Sequence, residues 1–167
     1  KLLNYYRQKK EYRQKKNELN SYPTIDYIDP TNVCNLKCPL CPTGQGKQTQ
    51  RGYMKVDLFK KIIDELSPYL FEVYLFNWGE PFLHYSIFEM VQMSHKNNIS
   101  TTISTNLNYF PEGNETEIIK SGLERLVVSF DGISQESHST YRMGGKLHRV
   151  IENVKRIVDA KRKAESS

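Results

Sequence analysis

Apolar residues along this chain follow two rhythms that take turns. Short runs rich in β-branched and aromatic residues alternate with longer stretches in which apolar positions recur every three or four residues. The first run, Thr24 to Thr31, predicts a strand that Asp29-Pro30 ends. Leu58, Phe59, Ile62, Ile63 and Leu66 then share one helical face, with Asp57 as the expected N-cap. A second strand is expected over Glu72 to Trp78, stopping at Gly79-Glu80-Pro81. Ser86-Ile87-Phe88-Glu89 has the capping-box form and predicts a helix to about Asn97. Ser100 to Asn106 predicts the third strand. Asn114-Glu115-Thr116-Glu117 opens a short helix that Gly122 closes. Arg125 to Phe130, apolar in Leu126-Val127-Val128, predicts the fourth strand. A helical piece over Ser134 to Tyr141 and a longer helix marked by Leu147, Val150, Ile151, Val154, Ile157 and Val158 complete the pattern.

Four consecutive β–α units with short connections predict an α/β fold: a parallel sheet covered by helices, as in a partial (β/α) barrel. Right-handed crossovers bring every strand's C-terminal end to one rim, where α/β barrels build their active sites. The chemically informative residues fall there. Three cysteines follow strand one, Gly-Glu-Pro follows strand two, Ser104 and Asn106 end strand three, and Ser129 with Asp131 ends strand four.

The 167 residues, 38% of them hydrophobic, suffice for one domain with a core. No apolar run approaches the ~20 residues that span a bilayer. Charge is uneven: residues 1–20 carry seven Lys or Arg against two Glu, and the rest of the chain balances. A basic helical segment over 1–21 is therefore expected ahead of a core over 22–167. It reads either as an arm for RNA or an acidic partner, or as a leader helix packed outside the domain. The balanced body makes a nucleic-acid partner unnecessary, and the polar, basic start does not read as a signal peptide.

Cys34, Cys38 and Cys41 are the only cysteines, spaced C-x3-C-x2-C. They make a poor disulfide framework and favour a reducing cytoplasm. Four-iron electron carriers give each iron a protein thiolate, so three cysteines leave one iron open to a small molecule. A zinc site completed by His84, His95, His138 or His148 is the alternative.

The stretch PTNVCNLKCPLCPTG resembles the cluster loop of the radical S-adenosylmethionine (radical SAM) superfamily, in the branch that often carries a SPASM or twitch domain. The resemblance covers roughly residues 24–160. It implies a [4Fe-4S] cluster on the three cysteines, with SAM on the fourth iron. It further implies reductive cleavage to a 5′-deoxyadenosyl radical for hydrogen abstraction, an external one-electron reductant, and a peptide, protein or small-metabolite substrate. Asn77-Trp78-Gly79-Glu80-Pro81 resembles the family's Gly-Gly-Glu-Pro segment, with Trp78 in place of a glycine. Gly79 is expected to admit the methionine amino group and Glu80 to help fix it. Ser104 and Asn106 resemble residues that contact SAM. Ser129-Phe130-Asp131-Gly132 resembles the S-x-D-G of strand four, and Arg142 the arginine paired with the SAM carboxylate. Leu40 stands where an aromatic residue often leans on adenine. Two residues have more local readings: Asp131 as a helix cap, and Trp78 either as part of the substrate wall or as packing under the helices.

Such cores have six units and this chain shows four, with the last helix running out over Ala160 to Ser167. A truncated product is expected, or a sheet completed by a second chain or a missing C-terminal segment, because strand four's apolar edge would otherwise stay unpaired. An RNA-modifying radical SAM enzyme, a non-catalytic zinc or partner-binding module and an inactive fragment are the competing readings.

Overall fold

Four parallel strands lie side by side in sequence order: β1 (Ile25–Tyr27), β2 (Glu72–Tyr74), β3 (Ser100–Thr105) and β4 (Arg125–Val128). The structure is a computed structural model that describes residues 1–164. Among the described residues, six α-helices accompany the strands: α1 (Leu2–Arg13), α2 (Val56–Leu66), α3 (Ile87–Lys96), α4 (Asn114–Ser121), α5 (Gln135–Tyr141) and α6 (Leu147–Lys163). The expected run-out of the last helix reaches Glu165–Ser167, outside the described residues.

Strand side chains alternate between two faces. Val73, Leu75, Ile103, Leu126 and Val128 meet Phe59 and Ile63 of α2, Met90 and Val91 of α3, Ile118 of α4 and Val150 of α6 in one core. Burying a large apolar side chain contributes about 1.5–3 kcal/mol. The apolar period in the sequence therefore decides which helix face turns inward. The other sheet face, with Tyr27, Glu72, Tyr74, Ser104 and Val127, stays more open.

Strands one and two are shorter than predicted. Pro30 has no N–H for a ladder, and both chains leave the sheet early to form the rim. Single bonds, Ile28 N–H to Tyr74 O (2.9 Å) and Leu75 N–H to Thr102 O (2.9 Å), carry the alignment a little further. Lys55, not Asp57, occupies the N-cap of α2, and Asp57 lies in the first turn, where a carboxylate favours the helix dipole. The capping box expected at Ser86 does not form: Ser86 makes no side-chain cap, and its N–H bonds to His84 Nδ1 instead (3.1 Å). A capping box forms between Ser134 and Ser137. Gly122 ends α4 as predicted, at φ +77° with the His95 ring packed where a side chain would stand.

Helix α1 docks through polar contacts. Asn4 pairs in both directions with the Tyr22 backbone, each bond 2.9 Å. Glu11 is buried and accepts from Asn20 N–H, Ser21 N–H and the Ser21 hydroxyl. Lys1 bonds the Asn98 carbonyl just before β3 (2.6 Å), and Tyr5 meets Phe71 just before β2 edge-on. The helix thus sits at the rim where strands begin, with Lys9, Lys10 and Arg13 exposed. Among the described residues, β4 has no strand on its outer edge, and none of their helices is long and apolar enough to cross a membrane.

Candidate functional site

The opposite rim is built around the cysteine loop. Thr31 starts it, buried, with its hydroxyl donating to Gly52 O (2.7 Å) and accepting from Val33 N–H (3.0 Å). Asn32 bonds Gln50 O and Gly52 N–H, each at 2.8 Å. The turn after β2 then lies against this loop. Glu80 N–H donates to Val33 O (2.8 Å), and a Cβ on Gly79 would stand 1.9 Å from Thr31 O. Glycine is needed here for a backbone neighbour, a different reason from the ligand approach that the sequence suggested.

The Gly- and Gln-rich residues after Cys41 also belong to the rim. A Cβ on Gly44 would lie 2.5 Å from both N and O of Cys38. Buried Thr43 donates its hydroxyl to Trp78 O. The flexible look of this Gly- and Gln-rich stretch hid both contacts.

All ten residues singled out in the sequence line one cavity of about 340 Å³: Cys34, Cys38, Cys41, Leu40, Gly79, Glu80, Ser104, Asn106, Ser129 and Arg142. Cys38 is buried, and Cys34 and Cys41 are partly open. Burial pushes the Cys34 thiol up, while the Leu36 N–H pulls it the other way. Asn106 Nδ2 lies 3.8 Å from Cys34 Sγ and 2.9 Å from Asn35 Oδ1. Arg142 Nη1 lies 3.8 Å from Cys38 Sγ, and its Nε donates to Asp131 Oδ2 at 2.5 Å. Burial opposes the arginine's charge, but Asp131 and Cys38 outweigh it and hold the guanidinium above its ordinary value. Asp131 therefore does not cap α5; Ser134 does. Trp78 is 44% exposed at the cavity wall and does not pack under the helices. Leu40 is 78% exposed at the mouth. The hydroxyls of Ser104 and Ser129 have no bonded partner among the described residues, which leaves them free for a ligand.

Glu80 lies at the base, 2% exposed. Its carboxylate accepts from the Thr105 hydroxyl (2.6 Å), Asn106 N–H (2.8 Å) and Phe82 N–H (3.2 Å). It thereby ties the turn after β2 to the end of β3. Desolvation dominates these bonds and pushes its pKa up to about 7. The folded pKa thus lies above the ordinary value of 4.5. The group's contribution is most favourable below pH 4.5, where both states are protonated. It declines as the unfolded state ionises first, until pH about 7. Glu80→Gln is expected to flatten this slope in cluster-free protein. It also presents an amide NH₂ to groups that donate, which costs about 1–3 kcal/mol at pH 7. Urea unfolding at pH 5 and pH 8 checks both; equal slopes for variant and parent would refute the assignment.

The donor set suits an iron–sulfur cluster better than zinc. Among the described residues no histidine lines the cavity; His84 spends both ring nitrogens on Met54 O and Ser86 N–H. No three His, Cys, Asp or Glu side chains among the described residues are grouped to chelate a single ion. A cubane asks less, since each thiolate meets a different iron and the sulfurs need not converge on one point. N–H donors facing thiolate sulfurs are also the contacts that tune such clusters.

The family model described as the Radical SAM superfamily matches residues 28–166. Among curated proteins, the AdoMet-dependent heme synthase of Methanosarcina barkeri is 25% identical over 81% of this chain and 39% of its own length. The GTP 3′,8-cyclase of Clostridium botulinum is 24% identical over 77% of this chain and 41% of its own. The chain thus spans about two fifths of these relatives. Among solved structures, Streptococcus suis SuiB bound to S-adenosylmethionine superposes with a TM-score of 0.74 at 22% identity, over 93% of this chain and 35% of SuiB.

Proposed function

The chain belongs to the radical SAM superfamily, and from that premise we propose that Cys34, Cys38 and Cys41 hold its [4Fe-4S] cluster and that SAM binds in the adjoining cavity. The observation that carries this reading is the convergence of all ten residues, from the segments after four strands and from the end of α5, on one cavity. Bound by these thiolates and reduced by an external one-electron donor, the cluster would supply the electron that splits SAM into methionine and a 5′-deoxyadenosyl radical for hydrogen abstraction from substrate.

The chain's own residues hold and orient. The three thiolates bind iron. Asn106 and Arg142 place N–H groups toward Cys34 and Cys38, which favours the anionic cluster. Arg142, anchored through Nε, keeps further N–H groups for the SAM carboxylate. Ser104 and Ser129 offer hydroxyls to the methionine or ribose part, and Leu40 an apolar contact to adenine. Glu80 is occupied by protein donors, so its part is to hold the turn against the end of β3; the SAM amino group meets that turn. The substrate is a peptide, protein or small metabolite and the compartment a reducing cytoplasm. Basic α1 lies at the far rim and does not line the site, which weighs against RNA as the reacting partner.

Anaerobic iron–sulfide reconstitution followed by EPR of the reduced protein, with and without SAM, tests the reading. A cubane signal that shifts with SAM is expected; stoichiometric zinc and no SAM response would overturn it. Arg142→Ala should keep the cluster signal and weaken SAM by about 1.5–3 kcal/mol, read by calorimetric titration. Unchanged SAM affinity in that variant would remove Arg142 from the carboxylate site.

A further inference from the structure

His138 is fully buried beneath the segment that carries Arg142, and nothing in the proposed chemistry uses it. Its Nδ1 faces the Phe130 carbonyl. A carbonyl only accepts, so Nδ1 carries the hydrogen. Its own carbonyl accepts Arg142 N–H at 2.8 Å. Two glycines make room for it. A Cβ on Gly132 would stand 2.4 Å from His138 N, and one on Gly145 2.7 Å from His138 Nε2. Nε2 is buried without a hydrogen-bond partner among the described residues, so the ring is held for what Nδ1 does.

The Phe130 carbonyl belongs to the peptide plane that leads into Asp131. Asp131 sits at φ +47°, a left-handed conformation that a non-glycine residue keeps only when its surroundings impose it. Its carboxylate in turn holds Arg142 Nε. We propose that His138 is a positioning residue: it clamps the Phe130–Asp131 peptide plane, keeps Asp131 left-handed and so aims Arg142 into the cavity. Ring and main chain of one residue thereby secure both partners of the Asp131–Arg142 pair.

The test compares His138→Asn, His138→Gln and His138→Leu. Asparagine places an amide N–H near the position of Nδ1, glutamine places it one carbon further out, and leucine has no donor. The first readout is solvent exchange of the Arg142 Nε–H in ¹⁵N-labelled, cluster-free protein, assigned by its loss in Arg142→Lys. Parent and Asn variant should protect this proton, and the Gln and Leu variants should exchange it at least about tenfold faster. The second readout, SAM affinity of reconstituted protein, rests on the proposed role of Arg142. It should fall about tenfold in the Gln and Leu variants and recover in the Asn variant. Should the Leu variant not fold, the Asn and Gln pair decides. Protection retained in the Gln variant, or lost equally in Asn and Gln, overturns the proposal. Exchange as expected with no SAM binding by the parent upholds the clamp and overturns the SAM reading instead.

Discussion

Cys38→Ala protein, reconstituted without oxygen, is expected to retain no stable four-iron cluster, measured as iron and sulfide per chain and as loss of the reduced EPR signal. The change leaves one iron with neither a protein thiolate nor a substitute ligand nearby. It also strips Arg142 Nη1 of the sulfur it faces at 3.8 Å. The fold itself should survive. The contacts that seat the loop against Gly44 involve the backbone N and O of residue 38, and those remain. The lost side chain is small, so the cluster-free variant should unfold within about 1 kcal/mol of the parent. Loss of iron with stability kept separates ligation from folding. Cys34→Ala and Cys41→Ala should behave alike in iron content. Parent-like iron and an unchanged EPR signal in all three variants would mean that the cluster, or the metal, sits elsewhere.

Gly79→Ala is expected to destabilise cluster-free protein by about 3 kcal/mol or more, although it adds one methyl group. The new Cβ would stand 1.9 Å from Thr31 O and 2.7 Å from Thr31 C, which are backbone atoms with no rotamer to change. Neither strand end can step aside at low cost. Thr31 is held by Gly52 O and by its bridge to Tyr53. The residue after Gly79 is held by Val33 O and, through its carboxylate, by Thr105 and Asn106. Gly52→Ala is the matched control, since a Cβ there meets nothing within 4 Å; it should stay within about 0.5 kcal/mol. Urea unfolding reads both. The comparison also separates two reasons for the glycine. If its purpose were only to admit a ligand, Gly79→Ala would unfold at the parent's urea concentration in the absence of any ligand.

Much of this arrangement was legible in the chain. The β–α alternation, the rim that collects the cysteines, Gly79-Glu80, Ser104, Asn106 and Ser129, and the αL glycine that ends α4 follow from patterns within a few residues, whereas Arg142 was singled out by family resemblance alone. The errors are local too. Asp131 had every property of a helix cap, yet Ser134 three residues later takes that place, because Asp131 is drawn to Arg142 eleven positions away. Ser86 and Glu89 matched the capping box, but the His84 ring claimed the Ser86 N–H. Trp78, readable as cavity wall or as packing, stands at the cavity wall, because β2 leaves the sheet four residues before it and the turn is carried to the rim.

The sequence by itself determined which segments become strands and helices, which face each buries and which chemistry gathers at one rim, because spacing, periodicity and glycine or proline placement act over a few residues. Only the tertiary structure decided how that chemistry is held. Asn106 meets Cys34 across 72 positions, Glu80 reaches Thr105 across 25, and Gly79 touches Thr31. Such contacts depend on the parallel register of neighbouring strands and on where each chain leaves the sheet, which no local pattern encodes.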